Sequence, residues 1–507
     1  MGRKRGDRGK EKESRAGSIC NLDGEYTNPV QSFRDLTIGN LTDAIFRSRY
    51  LQLLLSITLI GAILRFYNLG FNSLWLDEAT TYNIAIKTIP DIWQVTTAGE
   101  FNPPLFYWAE HVMLLFGNSE VVLRFIPALL GVLTIPLIYL VGKEFMDRNT
   151  GIIAAAAFAF SPFLLYYSQE ARAYTMMLFF VTFSMIFYLR ALKTNDLLNW
   201  ALFGILSALA FWSHFYALVI IGALLLYALY ELLPKIKGSI NAIKPLATAG
   251  VIFGIICLPL ILVTFQLFAK RTASAPTFGI QGPGLIIATF EQISGSEVVM
   301  YLLLILFIAG IFQAFLLDKN KGIFILTLTV LTFVISNFLS YRIPMQPRYL
   351  IFLAIIFFIT IALSYRLLSA HIDCRGVVYG FLVLMVVVNA PMLVNYYSGY
   401  SKEDWRGFSS HLQQLTRQGD FIVVVPGYMS QPLDYYYSNI SDQTIEFPAD
   451  TAGELKTINA QKNNNTLFFV VTGDISAANP EGDAIAWLEE NTKSLGQNTG
   501  IYLLTSG

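Results

Sequence analysis

After residue 50 the chain alternates between long apolar runs and short polar turns. About 11 of the runs approach the ~20 residues that carry an α-helix across a hydrocarbon core. They fall at 51–66, 124–141, 152–167, 173–192, 200–212, 216–233, 247–268, 299–317, 322–339, 349–367 and 377–395. Between the first two lies the long segment 67–123. There Ile89, Ile92 and Trp93 recur at i, i+3 and i+4, the spacing of a short amphipathic helix at an interface. Residues 104–116 are apolar and aromatic but short, and read as a second helix lying on the membrane or dipping into it. Beyond residue 400 the period changes. Strand-like runs at 422–426 and 467–472 alternate with helical spacing at 406–418 and 483–491. That alternation predicts a small α/β domain. The expected organisation is a polar tail (1–50), a transmembrane domain (51–398) and an α/β domain (399–507).

Charge orients this pattern. Arg3, Lys4, Arg5, Arg8, Lys10 and Lys12 open the tail, and every second loop carries Lys or Arg: 143–149, 190–199, 234–245, 318–321 and 369–375. The positive-inside tendency then places the tail and these loops in the cytosol. Segments 67–123, 168–172, 269–297 and 341–348, with the α/β domain, face the other side of a cell membrane. Sequons at Asn439-Ile440-Ser441 and Asn464-Asn465-Thr466 would be accessible there.

Composition agrees. Hydrophobic residues make up 54% of the 507 and charged residues only 14%, against about 25% charged in a soluble domain. The formal net charge of zero gives no electrostatic reason to expect a nucleic-acid partner. Cys20, Cys257 and Cys374 lie far apart, without metal-ligand spacing, and by this topology none lies outside the membrane, so no disulfide is expected.

Chemistry concentrates on the non-cytosolic side. Asp77 and Glu78 follow Trp75-Leu76 in the long loop. A partly desolvated acid there can act as a general base, and acids are equally at home at a helix N-terminus. Glu170 and Arg172 share a very short turn before Tyr174. Arg342 and Arg348, the latter followed by Tyr349, flank an apolar run where a guanidinium meets a lipid phosphate or snorkels to the headgroups. Lys402 to Arg406 either caps a cavity or begins the α/β domain. His111 and His214 lack a second ligand and read as packed or hydrogen-bonded imidazoles. No Gly-rich phosphate loop precedes a helix, which argues against a nucleotide-driven pump. No Asp-x-Asp pair marks a metal site on this side, so no cofactor is assigned and a divalent cation is left open.

Leu64-Arg65, Trp75-Leu76-Asp77-Glu78, Asn102-Pro103-Pro104-Leu105, Leu123-Arg124 and Ser161-Pro162 through Tyr174 together resemble the landmarks of GT-C membrane glycosyltransferases. The resemblance is to the dolichyl-phosphate-mannose–protein mannosyltransferase and aminoarabinose transferase superfamily in its prokaryotic form. It covers roughly the first third of the chain, with Arg348-Tyr349 and Lys402 to Arg406 as later landmarks. It implies an inverting transfer of one sugar from a polyprenyl- or dolichyl-phosphate donor to a hydroxyl of a protein, lipid or glycan acceptor. Asp77 would be the base, Glu78 its assistant, and Glu170 an organiser of the substrate site with Trp75, Asn102, Tyr174 and Tyr349. Aminoarabinose transferases carry a lysine where this chain has Asn102, so phosphate binding would fall to Arg172 and Arg348. The Trp-Trp-Asp-type signature of oligosaccharyltransferases is missing, which disfavours en bloc transfer to asparagine. A non-catalytic carrier of lipid-linked glycans is the alternative; it needs cations for the phosphate but no base beside them.

Overall fold

The computed structural model describes residues 21–24, 38–100, 102–273, 275–417, 419–437, 445–462, 465–473 and 475–506. Most of the expected polar tail and both sequons, in whole or in part, lie outside them.

In a bilayer every backbone polar group must be paired within the segment, so long apolar runs become helices. In chain order these are α1 (Arg49–Phe66), α2 (Leu76–Ala85), α3 (Ile89–Ala98), α4 (Pro104–Met113), α5 (Glu120–Phe145), α6 (Arg148–Phe160), α7 (Pro162–Ser168) and α8 (Tyr174–Thr194). Then follow α9 (Leu197–Ser213), α10 (Ala217–Gly238), α11 (Lys244–Arg271), α12 (Gly284–Ser294), α13 (Glu297–Leu317), α14 (Lys319–Leu339), α15 (Leu353–Ser369) and α16 (Cys374–Tyr397). Among the described residues, eight helices are long and apolar enough to cross a membrane. The bent pair α6–α7 and the shorter apolar helices α9 and α15 account for the remaining apolar runs, so the multi-span expectation holds. Helices α3 and α4 lie in the long loop, as its pattern predicts, and α2, which no spacing announces, precedes them. Helix α12 was not foreseen; it occupies a segment read as loop.

The 61° bend between α6 and α7 follows from Ser161-Pro162. Proline has no N–H to return to the carbonyl of Phe158. Ser161 caps the second piece by accepting from the Leu164 amide. Arg65, wholly buried in α1, supplies the missing donors: Nη1 to the Ala159 carbonyl at 3.1 Å and Nη2 to that of Phe158 at 3.4 Å. Arg65→Met should therefore strand these carbonyls, at about 1–3 kcal/mol for each unpaired group. A clear fall in the thermal midpoint in detergent is expected, and a wild-type midpoint would contradict this role.

After α16 the chain builds the α/β unit from α17 (Trp405–Leu415), β1 (Phe421–Val425), α18 (Ser430–Tyr437), β2 (Ile445–Pro448) and α19 (Ala452–Gln461). It continues through β3 (Leu467–Thr472), α20 (Ile475–Ala478), α21 (Asp483–Asn491), β4 (Lys493–Asn498) and β5 (Ile501–Ser506). The strand order is β2-β1-β3-β5-β4. β1 pairs parallel with β2 and β3, while β5 pairs antiparallel with β3 and β4. The Phe-Ile-Val-Val-Val run of β1 is buried throughout because both faces are covered. Val423 and Val425 pack with Leu455 and Trp487, whereas Ile422 and Val424 pack with Trp405, Phe408 and Leu433.

This unit sits on the α1–α5 loop. Tyr436 receives the Leu74 amide at 2.7 Å and donates to Glu120 at 2.7 Å, and Thr80 donates to Gln431 at 2.9 Å. Cys257 is a free buried thiol, whereas Cys374 is disulfide-bonded. That corrects the expectation of no disulfides, which rested on placing no cysteine outside the membrane.

Candidate active site

A cavity of about 690 Å³ opens where the α1–α5 loop, the α7–α8 turn, the Pro347–Leu350 turn before α15 and the α/β unit converge. Trp75, Asp77, Asn102, Arg172, Tyr174, Arg348 and Tyr349 all line it. Seven of the nine residues expected at the site thus share one wall system, though they come from four separate parts of the chain.

Asp77 and Glu78 occupy the first turn of α2, so the helix-terminus reading of this pair is also satisfied. Successive helix residues point in different directions, and that separates their roles. The Asp77 side chain is 23% exposed into the cavity, with Arg348 Nη2 at 3.6 Å and Arg172 Nε at 3.9 Å from Oδ2. Arg172 is further held by Nη1 to the Asp77 carbonyl at 3.2 Å. The Arg348 guanidinium lies 5.6 Å from the rings of Trp75 and Tyr349, contacts that hold a weakly hydrated cation against aromatic faces. Tyr349 stacks on Tyr216 at 4.9 Å, whose hydroxyl donates to the Pro344 carbonyl. Asn102 presents a buried Oδ1 with no hydrogen-bond partner. Arg342 is exposed and away from this wall.

Glu78 points the other way and is wholly buried. Arg124 of α5 grips it with Nε to Oε1 at 2.8 Å and Nη2 to Oε2 at 2.7 Å. The rest of the guanidinium donates to the carbonyls of Leu69, Asn72 and Ser73 at 2.8–3.0 Å. All five N–H donors are therefore used. Glu78 also accepts the Ala171 amide at 2.8 Å and Lys402 Nζ at 3.0 Å. Burial alone would raise its carboxyl, but the charges of Arg124 and Lys402 and these hydrogen bonds bring it down to about 2.

Glu170 is equally buried and stands behind the cavity wall, with Lys402 Nζ at 3.5 Å. Its two oxygens make no hydrogen bond. Burial pushes its carboxyl up, and the Lys402 ammonium opposes that shift in part.

Several residues had no site role in the sequence reading. Arg124 served only as a motif landmark, and Lys402 was undecided between cavity and domain start. Arg271 lines the cavity and donates to the Gly99 carbonyl at 3.0 Å. His214 lines it too and accepts the Tyr216 amide at 3.2 Å, a packed imidazole as expected. Glu110 of α4 is fully buried with both oxygens unpaired. Burial, then the nearby Glu78 charge, holds its carboxyl well above the usual range. No periodicity distinguishes such an acid from one facing water. Among the described residues, no three His, Cys, Asp or Glu side chains group as metal ligands.

This fold matches known proteins. Residues 102–263 fit the family model of dolichyl-phosphate-mannose-protein mannosyltransferases. An uncharacterized protein of Aquifex aeolicus (strain VF5) is 32% identical over 147 residues, which is 27% of this chain and 30% of that protein. The alignment thus spans less than a third of the relative. ArnT from Cupriavidus metallidurans, bound to undecaprenyl phosphate, superposes with a TM-score of 0.55 at 12% identity, over 90% of this chain and 98% of that one. The archaeal oligosaccharyltransferase AglB from Archaeoglobus fulgidus, in complex with an inhibitory peptide and a dolichol-phosphate, gives 0.51 at 14% identity, over 91% and 75%. The chain is a multi-span membrane protein with the GT-C fold shared by membrane glycosyltransferases. Its resemblance to the mannosyltransferase and aminoarabinose transferase superfamily, read from the motifs, holds in both the family model and the fold.

Proposed function

We propose that the protein transfers a single sugar, with inversion, from a polyprenyl- or dolichyl-phosphate donor to an acceptor hydroxyl at the non-cytosolic face of the cell membrane. The observation that carries this reading is Asp77 facing the cavity between two guanidinium groups. The acceptor hydroxyl attacks the anomeric carbon on the face opposite the phosphate, the carbon–oxygen bond to the phosphate breaks, and the hydroxyl proton passes to Asp77. Negative charge grows on the departing lipid phosphate, where Arg348 and Arg172 stabilise it electrostatically. Among the described lining residues, the guanidinium groups of Arg172, Arg271 and Arg348 outnumber the single carboxylate of Asp77, an excess of positive charge that suits a phosphate. Leu267, Phe268, Phe278, Leu339 and Ile343 on the same cavity suit an isoprenoid chain. Glu78, which does not reach the cavity, acts here as a positioning residue.

Arg348→Ala removes one charge-assisted contact, worth about 1.5–3 kcal/mol. The apparent donor affinity should fall by about 10–100-fold, since each 1.4 kcal/mol is tenfold, and kcat should change less. An unchanged donor affinity would remove Arg348 from the donor site. The anomeric configuration of the product, read by NMR, tests the inversion.

A further inference from the structure

We infer that Lys402 is a positioning residue of this site: the segment entering the α/β unit supplies the buried counter-ion shared by Glu78 and Glu170, and thereby holds Asp77 facing the cavity. This inference rests on the sugar-transfer reading for its catalytic readout and on geometry for the rest.

The geometry starts from a charge imbalance. Glu78 and Glu170 are two fully buried carboxylates, and Arg124 bonds only the first. Lys402, whose side chain is 6% exposed, reaches both, at 3.0 Å and 3.5 Å. Its ammonium also lies 5.6 Å from the Trp75 ring and 5.3 Å from that of Tyr166. Trp75 in turn starts α2: its carbonyl accepts the amides of Glu78 and Ala79, the first of which closes the turn that contains Asp77. The same tryptophan ring carries Arg348. Lys402 thus touches the acid beside Asp77 and the ring that seats the phosphate-binding arginine.

The segment around it is fastened to the loop ahead of α2. The Ser401 amide donates to Asn72 Oδ1 at 3.0 Å, and Ser73 Oγ donates to Asp404 at 3.1 Å. The Arg406 amide donates to Ser73 Oγ at 3.1 Å, and its guanidinium to the Gly70 carbonyl at 2.9 Å. Three residues of the loop, Gly70, Asn72 and Ser73, are therefore registered against the linker, with Lys402 as the buried pin. Removing one partner of a buried charge set strands the other. Around Glu170 the remaining groups are Glu78, Asp77 and Arg348, with the phenols of Tyr166, Tyr167 and Tyr396. With Lys402 gone, repulsion from Glu78 and Asp77 and loss of solvation favour the protonated acid at Glu170.

The test uses the full chain in nanodiscs, as wild type, Lys402→Met, Lys402→Arg and the double variant Lys402→Met with Glu170→Gln. Dicyclohexylcarbodiimide, which modifies protonated carboxyls in apolar surroundings, reports on Glu170 through peptide mass spectrometry at pH 8. Lys402→Met should raise Glu170 modification several-fold, because the lost ammonium no longer favours the ionised carboxylate. It should lower kcat more than about tenfold while the donor KM moves less than about threefold, as expected for a group that orients the site without touching the donor. Lys402→Arg should retain most of the wild-type behaviour, and the double variant should regain thermal stability and part of kcat. Unchanged Glu170 modification in Lys402→Met overturns the inference, as does a double variant no more stable than the single one. Raised modification in a protein whose wild type consumes no sugar donor would instead overturn the sugar-transfer reading and leave the counter-ion role standing.

Discussion

Asp77→Asn is expected to cut donor consumption by about 10²–10⁴-fold, the usual contribution of a positioned general base. The substitution keeps the shape of the side chain and removes the proton acceptor. Asp77 is bound to the fold only loosely: its carboxylate makes ion contacts at 3.6 and 3.9 Å to two arginines and belongs to the cavity wall. The thermal midpoint should therefore stay close to wild type. That separation of activity from stability is the signature sought, and a variant that loses both together would mark Asp77 as structural.

The opposite separation is expected at Arg124. Arg124→Leu leaves Glu78 buried with only Lys402 and the Ala171 amide against it among the described residues, and frees the carbonyls of Leu69, Asn72 and Ser73. Breaking a buried pair from one side costs about 3–5 kcal/mol, enough to unfold the loop that carries the site. The pH dependence follows with its sign. Glu78 is held down to about 2 in the folded chain, against 4.5 for the free group, so folding is favoured wherever the unfolded group would be ionised. The stabilisation is present above about pH 4.5 and is lost as pH falls toward 2, amounting to about 3 kcal/mol at neutrality. Acid unfolding curves measured in detergent should show this loss in the wild type and a shallower one in Arg124→Leu. Identical slopes would show that the pair does not govern acid stability.

These two residues also show what could be read from the sequence. Long apolar runs dictate spanning helices because lipid offers backbone no alternative partner, and the runs from 51 to 395 became helices within a few residues of their expected ends. Segment 152–167 differs: its apolar length hides a break that Ser161-Pro162 announces and Arg65 repairs. In the α/β unit, β1 and β3 are buried and stand out by composition. Strand β4 (Lys493–Asn498) is almost wholly exposed, so it carries no hydrophobic pattern to read. At the site, adjacency along the chain concealed a division of labour. Asp77 and Glu78 look equivalent as neighbours, yet a single residue step around the helix sends the first to the cavity and the second to Arg124. Lys402 lies 324 residues from Glu78, and no local spacing could pair them.

In the proposed reaction this cavity breaks the bond between a sugar and a lipid phosphate. That step is tested most directly by incubating purified wild-type and Asp77→Asn protein with a panel of polyprenyl-phosphate sugars and quantifying intact donor and free polyprenyl phosphate by mass spectrometry. At least one donor should be consumed by the wild type, with one free polyprenyl phosphate released per sugar transferred, and Asp77→Asn should leave the same donor intact. Equal consumption by both proteins, or binding of a donor without its consumption in the presence of acceptors, would contradict the proposed reaction.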